Sequence, residues 1–167
     1  MKKNYIRYIL EVVFFAALVA VDLATKALVF DLLKDSGSYV VLDKIFSLYL
    51  ATNTGASFSI LSGQTVILTV LPSIAILGII VMLVVRPNTP ENLRYGAILI
   101  AAGALGNLID RIAFGYVRDF IDYVFLDTFF GIDFAIGNVA DLFLLLGVVM
   151  IIVYIIFEFK DTDFYSK

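Results

Sequence analysis

The sequence predicts an all-α polytopic membrane protein. It should have four transmembrane helices, a small extracytoplasmic β-sheet forming a cradle, and an outer loop or short helix between the third and fourth spans. Three observations carry this expectation. Hydrophobic residues make up 62% of the 167 and charged residues only 16%; the mean hydropathy of +1.01 lies far above that of a water-solvated domain. The apolar residues gather into runs, and about 30 Å of hydrocarbon takes roughly 20 residues of helix to cross. The segment between the first two runs is β-rich. A single domain, residues 1–167, holds all of it.

The first span, about 8–30, contains the apolar stretch Ile9–Phe30, interrupted by Glu11, Asp22 and Lys26. This stretch is too long for the apolar region of a cleaved signal peptide. It also carries Asp22-x-x-x-Lys26 where a cleavage site would stand, so it is expected to stay on the chain. An outer segment at about 36–62 follows, "SYVVLDKIFSLYLATNTGASFSIL". Its β-branched and aromatic residues, partial alternation and "NTG" turn predict the small sheet. The second span, about 65–86, holds the uncharged run Val66–Val85. The third, about 94–114, centres on Tyr95–Ile109, with Gly115 placed to close it. "YVRDFID" then reads as extended chain, and "FFGIDFAIGN" as irregular chain. The fourth span, about 139–159, includes Leu142–Phe157.

Orientation follows from basic residues near span ends. Lys2, Lys3 and Arg7 precede the first span, Arg86 and Arg94 flank the turn between the second and third, and Lys160 and Lys167 follow the fourth. Both termini are therefore expected in the cytoplasm, leaving outer segments at about 31–63 and 113–137. Lys34, Lys44 and Arg118 on the outer side make the bias modest.

The missing residues narrow the chemistry. The chain has no Cys and no His, which removes thiol nucleophiles, disulfides, imidazole bases and zinc sites built on these ligands. No metal and no cofactor is expected. A net charge of −3 offers no basic surface for nucleic acid. Acid–base work must fall to Asp, Glu, Lys or Tyr.

Carboxylates inside apolar runs are costly and mark function by default. Two stand in a repeated phrase, "GNLID" at 106–110 and "GNVAD" at 137–141. Asp110 lies about 16 residues, roughly 24 Å of helix, beyond Arg94, and Asp141 about 19 residues, roughly 28 Å, before Lys160. Both, with Asp22, fall just inside one membrane boundary. Asn138 also suits a plain N-cap, with Asp141 in the favourable first turn. Asp110 sits where the helix dipole disfavours an anion, so it needs Arg111, Arg118 or Lys26 as partner. An acid held against arginine stays ionised and makes a poor general acid, which weighs toward a structural role.

"VRDFID" offers another acid. In an extended strand Val117, Asp119 and Ile121 share one face, and Arg118, Phe120 and Asp122 the other. Apolar company would raise the Asp119 pKa into a useful range, although a solvated loop acid has the same spacing. If Asp119 and Asp141 meet, they share one proton; one activates water while the other protonates a carbonyl oxygen. Asp22 and Lys26 form an i,i+4 pair, read either as a snorkelling interfacial ion pair or as Asp22 bracing the site from behind. Glu11 receives no role.

These residues resemble the bacterial lipoprotein signal peptidases, the signal peptidase II family. Asp22-x-x-Thr25-Lys26 is similar to the first family box and Asn53-Thr54-Gly55-Ala56-Ser57-Phe58-Ser59 to the second. "GALGNLIDR" at 103–111 with "VRDFID" resembles the third, and Asn138-Val139-Ala140-Asp141 the last. Four boxes in order on a four-span profile are specific; any one alone is weak. The resemblance implies an intramembrane aspartyl endopeptidase that removes the signal peptide from diacylglyceryl-modified prolipoproteins, cutting just before the lipidated cysteine. It implies Asp119 and Asp141 as the catalytic pair. Asp22, Lys26, Asn53, Gly55, Asn107, Asp110, Arg111 and Asn138 would be substrate-binding or supporting residues. It further implies a bacterial cytoplasmic-membrane enzyme working as a monomer among membrane lipid, with its site near the outer face and a globomycin-type inhibitor as ligand. Thr52 departs from the arginine usual before the second-box asparagine, and Gly137 from the usual phenylalanine.

Three other readings compete. Buried carboxylates also serve proton or cation pathways, but those need polar residues at several depths. A Ser–Lys peptidase would use Ser57 or Ser59 with Lys26, although Asp22 one turn away favours the charged amine. A non-catalytic scaffold would tolerate loss of Asp141.

Overall fold

The computed structural model describes residues 2–55 and 64–158. Ser57, Ser59, Lys160, Lys167 and the second-box residues after Gly55 lie outside the described residues, as do the side chains of Lys2 and Lys3. Helix α1 runs Lys2–Leu32, strands β1 and β2 span Ser38–Leu42 and Phe46–Asn53, and α2 covers Thr65–Val85. Then come α3 (Glu91–Phe114), β3 (Val117–Asp122), the short α4 (Val124–Phe130) and α5 (Val139–Val153), which runs on as a π-helical turn at Tyr154–Glu158. Among the described residues four helices are long and apolar enough to cross a membrane. Helices α1 and α3 start earlier than the sequence reading placed them, because the polar first turns continue the same hydrogen-bonded spiral. The stretch after "VRDFID" forms α4, closed by Gly131 in the left-handed region.

Helix α3 is the hub: 56% of its apolar window is buried, against 11–17% for the other three spans. It touches α1, α2 and α5, whose remaining faces carry Val, Ile, Leu and Phe outward. Outside a membrane such faces would be an aggregation hazard; in lipid they match the solvent. The α3–α5 seam depends on glycine. A Cβ on Gly103 would overlap the Ala140 carbonyl, and one on Gly147 the Gly96 carbonyl. Small residues of this kind let two backbones approach closely where lipid supplies no hydrophobic force.

The three strands form one antiparallel sheet in the order β1-β2-β3. Between Leu48↔Ile121 and Ala51↔Asp119 the register slips by one residue on β2, a bulge that re-aims the end of that strand. Gly115, at φ 80°, turns the chain from α3 into β3. Gly137 then pins the approach to α5 against β3: its carbonyl accepts from Phe120 N (2.8 Å) and Ile121 N (2.7 Å), and its N–H donates to Ile121 O (3.0 Å).

Far along α1 and α3 from the sheet sits a second polar cluster. Arg94, fully buried, donates from Nε and Nη2 to the two Glu11 oxygens (2.8 and 2.6 Å) and from Nη1 to the Leu83 and Arg86 carbonyls (3.0 and 3.2 Å). Arg7 adds a bond to Glu11 at 3.0 Å. Glu11, given no role from sequence, thus clamps α1 to α3 and to the end of α2.

Candidate active site

Short links carry Asp119 and Asp141 to one place. β3 presents Asp119 five residues after α3 ends, and the Gly137 pin holds the first turn of α5 beside it. Asn138 caps α5: its Oδ1 accepts from Asp141 N (3.1 Å), and Asp141 Oδ2 accepts from Asn138 N (3.0 Å). The plain N-cap reading is therefore correct but incomplete. The same Asn138 side chain, completely buried, uses Nδ2 to donate to Asp119 Oδ1 (2.6 Å) and to Asn107 Oδ1 (3.1 Å). Asn107 Nδ2 donates in turn to Asp141 Oδ1 at 2.9 Å. The two asparagines of the repeated phrase thus bridge the two aspartates.

On its far side, Asp119 Oδ2 accepts from Asn53 Nδ2 (3.0 Å), while Asn53 Oδ1 accepts from Gly55 N (2.9 Å). The Gly55 carbonyl takes a bond from Arg111 Nη2 at 2.8 Å. Arg111 thus holds a main-chain carbonyl and leaves Asp110 to others. Asp119 is 3% exposed. Burial, and then the Asp141 charge, push its carboxyl from the usual 3.8 up to about 6, against the opposing pull of the Asn53 and Asn138 amides. The expected apolar surroundings are only half right. Phe120 is buried as well as Val117 and Ile121, because β3 is covered on both faces, and two amide donors, from Asn53 and Asn138, reach the carboxylate.

Asp22 and Lys26 are both 0% exposed, which overturns the snorkelling reading. Lys26 Nζ donates to Asp22 Oδ2 (2.9 Å) and Asn107 Oδ1 (2.8 Å), and lies 3.6 Å from Asp110 Oδ2. Asp22 Oδ1 accepts from Ala140 N at 2.9 Å. The pair points inward because Gly106 leaves room: a Cβ there would overlap the Asp22 carboxylate. Asp110 is held by Arg118, through its N–H (3.0 Å) and guanidinium (2.8 Å), one of the cationic partners its place near the end of α3 calls for. The described candidates Asp22, Lys26, Asn53, Gly55, Asn107, Asp110, Arg111, Asp119, Asn138 and Asp141 therefore gather at one end of the bundle.

One participant escaped the sequence reading. Tyr123 lies beside Gly137 and lines the same cavity, and its phenol is raised by burial and then by the Asp141 and Asp119 charges. Its position directly after "VRDFID" was the available signal. The cavity measures about 530 Å³. Leu68 and Pro72 of α2, Ala104 of α3 and Leu145 of α5 wall one end, and the two aspartates the other.

The family model described as Signal peptidase (SPase) II matches residues 14–157. The chain is 32% identical over 159 residues to the lipoprotein signal peptidase of Clostridium tetani, covering 94% of this chain and 100% of that one. It is 35% identical over 163 residues to that of Staphylococcus carnosus, covering 97% and 99%. A solved bacterial membrane enzyme superposes with a TM-score of 0.79 at 30% identity, covering 94% of this chain and 92% of that one. A second gives 0.74 at 28% identity, covering 89% and 94%. With nearly the full length matched in sequence and in fold, the chain belongs to the signal peptidase II family of bacterial multi-pass membrane proteins.

Proposed function

We propose that this chain is an intramembrane aspartyl endopeptidase that removes the signal peptide from diacylglyceryl-modified prolipoproteins, cutting just before the lipidated cysteine. The observation that carries the mechanism is the amide bridge from Asp119 through Asn138 and Asn107 to Asp141. Charge bookkeeping agrees with it. The cluster holds four carboxylates (Asp22, Asp110, Asp119 and Asp141) and three cations (Lys26, Arg111 and Arg118), so one bound proton makes it neutral. A carboxyl raised to about 6 keeps that proton far longer than a solvated aspartate would.

In the reaction the ionised member takes a proton from water, and the hydroxide equivalent adds to the scissile carbonyl. The protonated member donates to the carbonyl oxygen. The tetrahedral adduct then collapses as the amide nitrogen receives a proton, freeing the amino group of the lipidated cysteine. Asn53 and Asn138 orient Asp119 without adding charge, and Asp22 fixes the start of α5 through Ala140. The apolar end of the large cavity suits signal-peptide side chains or acyl chains. One chain supplies both acids, which supports a monomer. The Lys and Arg distribution supports cytoplasmic termini and a site near the outer face of the cytoplasmic membrane.

Against a proton or cation pathway, the buried polar side chains among the described residues form two separate clusters. Ile98, Leu99, Ala101 and Ala102 lie between them on α3, and Glu11 with Arg94 closes the far end. Lys26, occupied by Asp22 and Asn107, suits no Ser–Lys mechanism. The deciding experiment is a gel-shift assay of the purified protein on a diacylglyceryl-modified prolipoprotein. Wild type should yield the shortened product, a globomycin-type inhibitor should block it, and folded Asp119→Asn and Asp141→Asn should each cut at least about 100-fold more slowly. Wild-type turnover in either variant refutes the mechanism.

A further inference from the structure

A second cavity, about 350 Å³, opens on the other side of Asp119. The two cavities share Asn53, Asp119 and the strap Phe134–Ile136, and differ in everything else. The larger reaches between α2, α3 and α5 and is mainly hydrocarbon. The smaller is bounded by the end of β2, with Ala51 and Thr52, and by Asp133. A peptide whose scissile bond lies at Asp119 must put one side into each. The apolar signal segment matches the larger, which leaves the smaller for the chain on the far side of the cut.

The charge of this smaller cavity is one-sided. Among the described residues its charged wall apart from Asp119 is Asp133, and none of its described lining residues is basic. Arg118 stands opposite Thr52 in the sheet, but its guanidinium is turned to Asp110 and committed there. Among the described residues Asp133 has no ion-pair partner. Its charge and that of Asp127 reach Asp122, whose carboxyl is raised by burial first and by these two neighbours next. The field at the mouth is therefore negative, with no cation among the described lining residues to offset it.

We propose that the smaller cavity is the subsite for the residues that follow the lipidated cysteine, and that Asp133 gives it a preference for a cationic side chain there. This rests on the peptidase reading above. Asp133 is solvent-exposed, so the discrimination is modest, about two- to fivefold for a single exposed charge pair. It should weaken as salt screens the pair.

The test compares two diacylglyceryl-modified prolipoprotein peptides, identical except for Lys or Asp at both positions after the cysteine, with wild type, Asp133→Asn and Asp133→Lys. The readout is the ratio of kcat/KM for the two peptides within each enzyme, so loss of folded protein cancels. Wild type should favour the Lys peptide by about fivefold at low salt, Asp133→Asn should bring the ratio near one, and Asp133→Lys should invert it. The same ratio in all three enzymes overturns the subsite and leaves the peptidase reading standing. Failure of wild type to cut either peptide overturns the peptidase reading and the subsite with it.

Discussion

Replacing Asp119 by Asn should separate stability from activity in a pH-dependent way. The Asp119 carboxyl sits at about 6 in the folded protein against an ordinary 3.8, a difference worth about 3 kcal/mol. The sign follows from proton counting. Between these values the folded state holds a proton that the unfolded chain has released, so wild-type stability is greatest below about pH 4 and falls as pH rises through 6. The amide has no such proton to lose. It does lose one acceptor, because Asn53 and Asn138 each donate to a different oxygen of Asp119, at a cost of about 1–3 kcal/mol at every pH. The variant should therefore be less stable than wild type near pH 4 and equal or more stable near pH 7.5. The gap should swing by about 3 kcal/mol, or about 6–12 °C in unfolding temperature. Thermal unfolding in detergent micelles at several pH values measures the swing, and peptide cleavage falls about 10²- to 10⁴-fold at all of them. A stability difference that stays flat across pH would refute both the burial argument and the shared proton.

Wild-type kcat/KM should decline above a pH near 6, where the dyad loses its proton, and a pH–rate profile extending to pH 9 without that decline would count against it. Glu11→Ala leaves the guanidinium of Arg94 buried with half its partners gone; it should cost about 3–5 kcal/mol in detergent unfolding. Lys26→Met strips Asp22 and Asp110 of a shared cation and should destabilise by a similar amount, and it should also slow cleavage, read as kcat/KM on the folded fraction. Gly103→Ala drives a methyl into the Ala140 carbonyl, so it should lower stability by about 1–3 kcal/mol and weaken catalysis, measured by unfolding and cleavage together.

Much of this was legible in the chain. Twenty-residue apolar runs leave little choice but helices in lipid, and the helix-ending Gly115 and the extended "VRDFID" stand where sequence rules place them. The residues marked by motif also converge, because the motifs lie at the ends of their elements. What sequence could not give was direction within an apolar helix. Spans α1, α3 and α5 are hydrophobic on every side, so no polar face says whether Lys26 reaches inward or toward the interface; the gap left by Gly106 decides it. For the same reason Glu11 gave no hint of Arg94, eighty-three positions away. The alternation rule misjudged Phe120 because it assumes one covered face, and the Gly137 strap covers the second.

The buried ion pairs also bear on how the chain enters the bilayer. An unpaired charge at the centre of a span costs about 2.5–3.5 kcal/mol on insertion scales. Here Glu11 meets Arg7, and Asp22 meets Lys26, each within one helical turn, while Asp110 meets Arg118 around a single tight corner. These three acids can therefore leave the translocation machinery already paired with near neighbours, before any distant helix arrives. Arg94, by contrast, must wait for Glu11 on another span, so α1 has to be in place before α3 can settle.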